Sequence, residues 1–91
     1  MSITIAGTTF DHHHYDARGD VLYLNAGEPQ AEARGLETPE GHAIHYDESG
    51  AVIGVTLLNV RWILEHEGAL SLTLPAEQLD ADALQPMLIA A

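Results

Sequence analysis

The side chains best suited to chemistry in this chain are its six histidines, three of them consecutive as His12-His13-His14. On a β-strand, where residues rise about 3.3 Å each and alternate in facing, His12 and His14 point to one side about 7 Å apart. Two imidazoles at that spacing can hold a divalent metal once a third ligand arrives from elsewhere. His45, Asp47, Asp16 and Asp20 are the candidates, and imidazole with carboxylate suits zinc, nickel, manganese or iron(II). The candidate metal ligands are therefore His12, His14 and His45, with zinc as the representative ion. The competing reading is a solvated histidine-rich strand that binds nothing, because no His-Glu-x-x-His signature accompanies the run. His42 and His45 are three residues apart, fall on opposite faces of a strand and do not share an ion. Protonating all six histidines would move the formal charge from -11 to -5 near an imidazole pKa of about 6.5, relieving repulsion between subunits.

No catalytic set accompanies them. The chain has no cysteine, which excludes disulfides, thiolate zinc sites and cysteine nucleophiles and suits a reducing compartment. Its only cations are Arg18, Arg34 and Arg61, so no lysine is present for a Schiff base or a Walker-type phosphate clamp. Asp16, Asp20, Asp47 and Glu48 sit in turn-like segments, where aspartate ordinarily bonds nearby backbone amides. None of the three serines stands in a Gly-x-Ser-x-Gly elbow, and the isolated glycines form no phosphate-cradling loop. These absences lean away from an enzyme, and no cofactor is implied beyond the alternative of a divalent metal.

Ninety-one residues with 46 % apolar and 19 % charged side chains make one globular domain over 1–91. A net charge of -11 disfavours nucleic acid and anionic membranes, which are bound through clustered cations. No apolar stretch is long enough to span a bilayer, and Met1-Ser2-Ile3-Thr4 has no signal-peptide character, so the expected location is the cytoplasm.

The elements that must position the histidines follow from periodicity. Ile3 and Ile5, then Phe10, His12 and His14, alternate as half-buried strands do, predicting two early strands. Asp16-Ala17-Arg18-Gly19 is a turn between the second of them and Val21-Leu22-Tyr23-Leu24. Gln30 to Glu37 is a weaker strand. His42 to Tyr46, the turn Asp47-Glu48-Ser49-Gly50 and Ala51 to Leu58 form a second hairpin, whose later strand is apolar on both faces and is therefore expected to be central and best buried. Asn59 is placed to cap a helix over about Val60 to His66, stopped by Gly68. Leu70, Leu72 and Leu74 alternate as a further strand, and Pro75 stands at the first turn of a helix reaching Leu84. The apolar tail Met87 to Ala91 needs a surface to pack on. The fold class is α+β: an antiparallel sheet of five to seven strands built from two similar hairpins, a short helix and a C-terminal helix.

The two hairpins resemble one another. His14-Tyr15-Asp16-Ala17-Arg18-Gly19-Asp20-Val21-Leu22-Tyr23-Leu24 overlays His45-Tyr46-Asp47-Glu48-Ser49-Gly50-Ala51-Val52-Ile53-Gly54-Val55 without a gap, matching His, Tyr, Asp, Gly and Val. Shared turn chemistry accounts for this, or the sheet is pseudo-symmetric with His14 and His45 in matching positions. The spaced signals Tyr15-Asp16-x-x-x-Asp20-x-Leu22-Tyr23-Leu24 and Tyr46-Asp47-x-x-Gly50-x-Val52-x-Gly54-Val55, then Leu58-Asn59, resemble the small bacterial proteins grouped as domain-of-unknown-function family 2283. The resemblance covers a core of about 10–64, leaving a C-terminal strand-helix extension over 69–91. It implies a compact antiparallel sheet with a helix and supplies no catalytic residues. Members are described as lying beside genes for small basic toxin-type proteins, which suggests an antitoxin-like role. The histidine run and the added N- and C-terminal segments depart from the family pattern.

Arg61 and Trp62 are the candidate interface residues, since Trp and Arg are enriched among interface anchors. The competing reading puts Trp62 in the core, where tryptophan is highly buried on average. So small a core with an apolar tail is expected to form a homodimer. The leading expectation is a non-enzymatic interaction module, a candidate partner for a small basic protein. The alternative is a His/carboxylate metal-binding protein with a binding or hydrolytic role.

Overall fold

The computed structural model describes residues 2–28, 30–73 and 77–88. Among the described residues, nine strands lie in three antiparallel sheets. β1 (Ile3–Ile5) and β2 (Thr8–Phe10) form a ribbon joined by Ala6 and Gly7, whose φ values of 48° and 84° are the paired positive angles of a tight hairpin turn. β3 (His12–Asp16), β4 (Val21–Asn25), β5 (Arg34–Glu37), β6 (Ala43–Tyr46) and β7 (Val52–Leu58) make the main sheet, in the order β3-β4-β7-β6-β5. Helix α1 (Val60–Glu67) follows, then the ribbon of β8 (Ala69–Leu72) and β9 (Glu77–Asp80), helix α2 (Ala81–Leu84) and a 3-10 turn over Gln85–Met87.

β7 is the central strand, as its apolar run predicts. One face of the main sheet carries Leu22, Leu24, Ile44, Val55 and Leu57, each 2 % exposed or less, and they join one core with Ile5 and Phe10 of the first ribbon. Val60 and Leu64 of α1, Leu70, Leu72 and Leu79 of the second ribbon, and Leu84, Met87 and Leu88 complete it. The opposite face is open: Leu58 and Tyr23 are 39 % and 40 % exposed. An apolar gap of about 190 Å³ remains between the first ribbon and the sheet, smaller than ordinary ligand cavities.

The internal repeat is a structural one. His12↔Asn25, His13↔Leu24 and His14↔Tyr23 in the first hairpin correspond to Ala43↔Thr56, Ile44↔Val55 and His45↔Gly54 in the second, each shifted by 31 residues, the offset from His14 to His45. The pseudo-dyad passes between β4 and β7 at Leu24↔Val55, a facing pair that is itself 31 apart. The equivalence ends at a bulge between His45 and Tyr46, where Tyr46 pairs with Val52 instead of Ile53.

Three local expectations change. Asn59 makes no side-chain cap and stands in the left-handed region at φ 55°; the amides at the start of α1 are satisfied from the first hairpin instead. Gly68, at φ 79°, ends α1 as expected, its N–H donating to the Leu64 carbonyl at 3.0 Å. The C-terminal helix is confined to Ala81–Leu84, because Glu77–Asp80 pairs with β8 and sets Leu79 opposite Leu70 in the core. Leu74 and Pro75 lie outside the described residues, as does the tail beyond Leu88. The early alternation also divides at Asp11 into β2 and β3, so three strands precede the first long turn.

Candidate functional site

The open face of the main sheet collects the polar side chains. Reading across the strands, His12, Asn25, Gly54, His45 and Gly35 form one row, and His14, Tyr23, Thr56, Ala43 and Glu37 the next. Directly paired residues share a face, so His12, His14 and His45 all stand on this side. The pair His12/His14 is placed as its spacing predicts, both exposed on the edge strand β3. His45 lies three strands away, roughly 14 Å at about 4.8 Å per strand.

His45 is also occupied. Its Nδ1 meets the Glu32 carboxylate and its Nε2 lies 2.8 Å from the Thr56 hydroxyl. Beside it, a side chain at Gly54 would meet the Asn25 amide oxygen and the Leu24 carbonyl, both at 3.2 Å, so glycine lets the His45 ring and Asn25 close over β7. His14, the pseudo-symmetric counterpart, instead stacks on Tyr23 with ring centres 6.1 Å apart. The three-ligand set His12, His14 and His45 is thus not assembled within one chain, and no group of three metal-ligating side chains occurs among the described residues. Asn25, Glu32 and Thr56 were missing from the sequence-level site; the 31-residue repeat, extended through β4 and β7, is the signal that would have placed Asn25 and Thr56.

The acidic turn residues fall into two classes. Asp16 Oδ1 accepts from the Arg18 and Gly19 amides, and Asp47 Oδ1 accepts from the Ser49 amide, the Ser49 hydroxyl and the Ala51 amide. Those hydrogen bonds hold the Asp47 carboxyl below its usual range, the Ser49 hydroxyl contributing most. Asp20 does something different. Its Oδ1 accepts from the Arg61 amide at 2.9 Å and from the Tyr15 hydroxyl at 2.7 Å, and its Oδ2 from the Trp62 amide at 3.1 Å. Its own carbonyl accepts from the Val60 amide at 3.3 Å. Burial alone would raise the Asp20 carboxyl, but the donors from Arg61, Tyr15 and Trp62 outweigh it and hold it low. Burial, then the bond to Asp20, pushes the Tyr15 phenol up.

Arg61 completes this junction from above: its guanidinium lies 5.2 Å from the Tyr15 ring centre and donates to the Leu88 carbonyl at 2.8 Å. It ties α1, β3 and the C-terminal segment together. Trp62 is not a core residue. It is 54 % exposed, its indole stacked on His66 at 4.2 Å, while the His66 Nδ1–H donates to the Trp62 carbonyl at 2.8 Å. Burying the ring is precluded by helical phase: Val60 and Leu64 face the core, and a residue two positions from each points away.

The sequence profile of the family described as "Protein of unknown function (DUF2283)" matches residues 13–61, just over half of the chain. The chain belongs to this family. Comparison with curated proteins and with solved structures finds no match. The DUF2283 segment opens in β3 and closes in the first turn of α1, so it contains both pseudo-symmetric hairpins, β5 and the Asp20 cap. Tyr15 and Asp20, which carry the first of the family-like signals in this chain, are a structural pair that joins the first hairpin to the helix.

His42 is a second committed residue. It is 1 % exposed, and its Nδ1 accepts from the Leu58 amide at 3.0 Å, extending the bonding of β7 beyond the end of β6. Burial lowers its pKa from 6.5, opposed only by Glu40. The unfolded chain therefore takes up a proton on His42 at higher pH than the folded chain does, and stability falls as pH drops below about 6.5. Thermal unfolding from about pH 7.5 to about pH 5.5 reads this loss. In His42→Gln, whose amide oxygen accepts from Leu58 without titrating, this part of the pH dependence disappears.

Proposed function

We propose that this chain is a non-enzymatic protein-interaction module whose partner is a small basic protein. The observation that carries the reading is Trp62. A tryptophan more than half exposed, held by its backbone bond to Asp20 and by stacking on His66, is an ordered aromatic anchor presented to solvent. Glu65 and Glu67 are exposed on the same helix, and the whole chain carries -11, so a cationic partner is drawn to this surface and anions are repelled. Asp16 and Asp47 are spent on turns and Asp20 on the α1 cap, and His42 and His45 are engaged in hydrogen bonds, so the structural roles of these groups favour binding over acid-base catalysis. The antitoxin-like role suggested by the family resemblance accords with such a partner.

The test is titration of the purified chain with a small basic protein, taken from a reading frame adjacent to its gene where one is found, read by calorimetry. Trp62→Ala is expected to weaken that complex at least about tenfold, the effect of losing an aromatic hot spot, while changing unfolding free energy by no more than about 0.5 kcal/mol. Tight binding that ignores the substitution would move the interface elsewhere, and absence of any complex would overturn the reading.

A further inference from the structure

The two halves of the pseudo-symmetric sheet differ at their outer edges. β6 is flanked by β5, whereas its counterpart β3 ends the sheet, and no described strand pairs with its outer side. An open strand edge is a template for a further antiparallel strand. On the open face β3 presents His12, His14 and Asp16 at alternate positions.

A second copy of β3, related by a two-fold axis perpendicular to the sheet, keeps its open face on the same side, so the pairing must centre on a residue and not between two. Centring on His14, the midpoint of His12–Asp16, pairs the whole strand. Each His12 then stands opposite the partner's Asp16, and the two His14 residues face each other. Opposed positions lie about 5 Å apart and alternate positions along a strand about 7 Å. The register thus sets a basic side chain against an acidic one at both ends, and it gathers two imidazoles with one carboxylate, the three-ligand set of an open zinc site.

The ring nitrogens are available for this. Among the described residues no hydrogen bond engages either ring: His14 stacks on Tyr23, and His12 has Asp11 at 3.8 Å as its acidic neighbour within 4 Å. Both turn hydrogen bonds of Asp16 fall on Oδ1, and Oδ2, which lies against Gly19, takes part in neither. We propose that β3 is a self-association edge closed by a divalent cation such as zinc, with His12 and His14 of one copy and the partner's Asp16 as ligands, two sites per dimer. The cation offsets the repulsion between two chains of -11 each. This site is independent of the Trp62 surface, and a homodimer here leaves α1 free for a different partner.

The experiment is native mass spectrometry of the untagged, chelator-treated full chain with and without one equivalent of Zn²⁺. The expected result is a monomer without zinc and a dimer holding two ions with it. His14→Ala is expected to abolish both dimer and bound ions. Asp16→Asn, which keeps the Oδ1 acceptor of the turn, raises the zinc needed for dimerisation at least tenfold, and His45→Ala changes nothing. Circular dichroism checks that each variant is folded, since His14 is exposed but Asp16 and His45 are half-buried. Zinc held by monomers, a dimer that forms without zinc and survives His14→Ala, or no zinc uptake at all would each overturn the proposal. None of these outcomes bears on binding of a basic protein at Trp62.

Discussion

Asp20→Ala is expected to destabilise the chain by about 3 kcal/mol, read as a fall in the urea midpoint with little change in slope. The carboxylate satisfies two free amides at the start of α1, and losing a helix N-cap costs about 0.5–2 kcal/mol. It also accepts from the hydroxyl of Tyr15, a residue only 2 % exposed, and stranding a buried donor adds about 1–3 kcal/mol. Asp20 further sits at φ 56°, a conformation that alanine tolerates poorly and that Asn and Asp adopt more readily. Asp20→Asn separates these contributions, because it keeps the backbone preference and the oxygen that accepts from Arg61 and Tyr15, and removes the charge together with the acceptor for the Trp62 amide. Its cost is expected to be less than half that of alanine. If the two variants were equal, the charge and the bond to the Trp62 amide would hold the cap, and the Tyr15 and Arg61 bonds would add nothing. Since folding brings the Asp20 carboxyl below its ordinary value, its contribution is present above that value and is lost as pH falls through the lower, folded pKa. Asp20→Ala should therefore show a shallower acid limb than the parent.

Leu57→Ala is the second large effect, expected to cost about 2–5 kcal/mol, a sizeable part of the 5–15 kcal/mol typical of whole domains. Leu57 is wholly buried on the central strand and faces Leu22, itself wholly buried. Truncating it opens a cavity in the middle of the sheet, where neighbours on both sides are held by ladder bonds and cannot collapse inward. Leu58→Ala, one residue along, is the control. Its side chain is on the open face and 39 % exposed, so the same truncation is expected to cost under about 1 kcal/mol in chemical denaturation. A small loss for Leu57 together with a large one for Leu58 would mean that the open face, and not the inner one, is the core, inverting the register.

Much of this architecture was readable from periodicity. Alternation located the strands around His12 to Leu24 and His42 to Leu58, the Asp-x-x-Gly segments located their turns, and the uninterrupted apolar run placed β7 at the centre. The overlay of His14 and His45 was legible too, because identical registers demand similar spacing of turn and strand residues. Helix α2 was legible only in part: the apolar positions before Leu84 fit a helix as well as a strand over so short a span, and pairing with β8 decided for strand at Leu79.

What the sequence by itself determined was the set of local choices: alternating strands, tight turns, a helix stopped at Gly68, an acidic chain without lysine or cysteine, and two hairpins of one design. These depend on neighbours within a few positions, where backbone sterics and side-chain facing act directly. The tertiary structure alone decided which donors and acceptors meet. It gave the cap of α1 to Asp20, some forty residues away and not to adjacent Asn59, turned Trp62 to solvent, used Arg61 to fasten Leu88, and set His45 three strands from His12. Such pairings follow from strand order and from how a helix returns over a sheet, and neither is written in the spacing of residues along one segment.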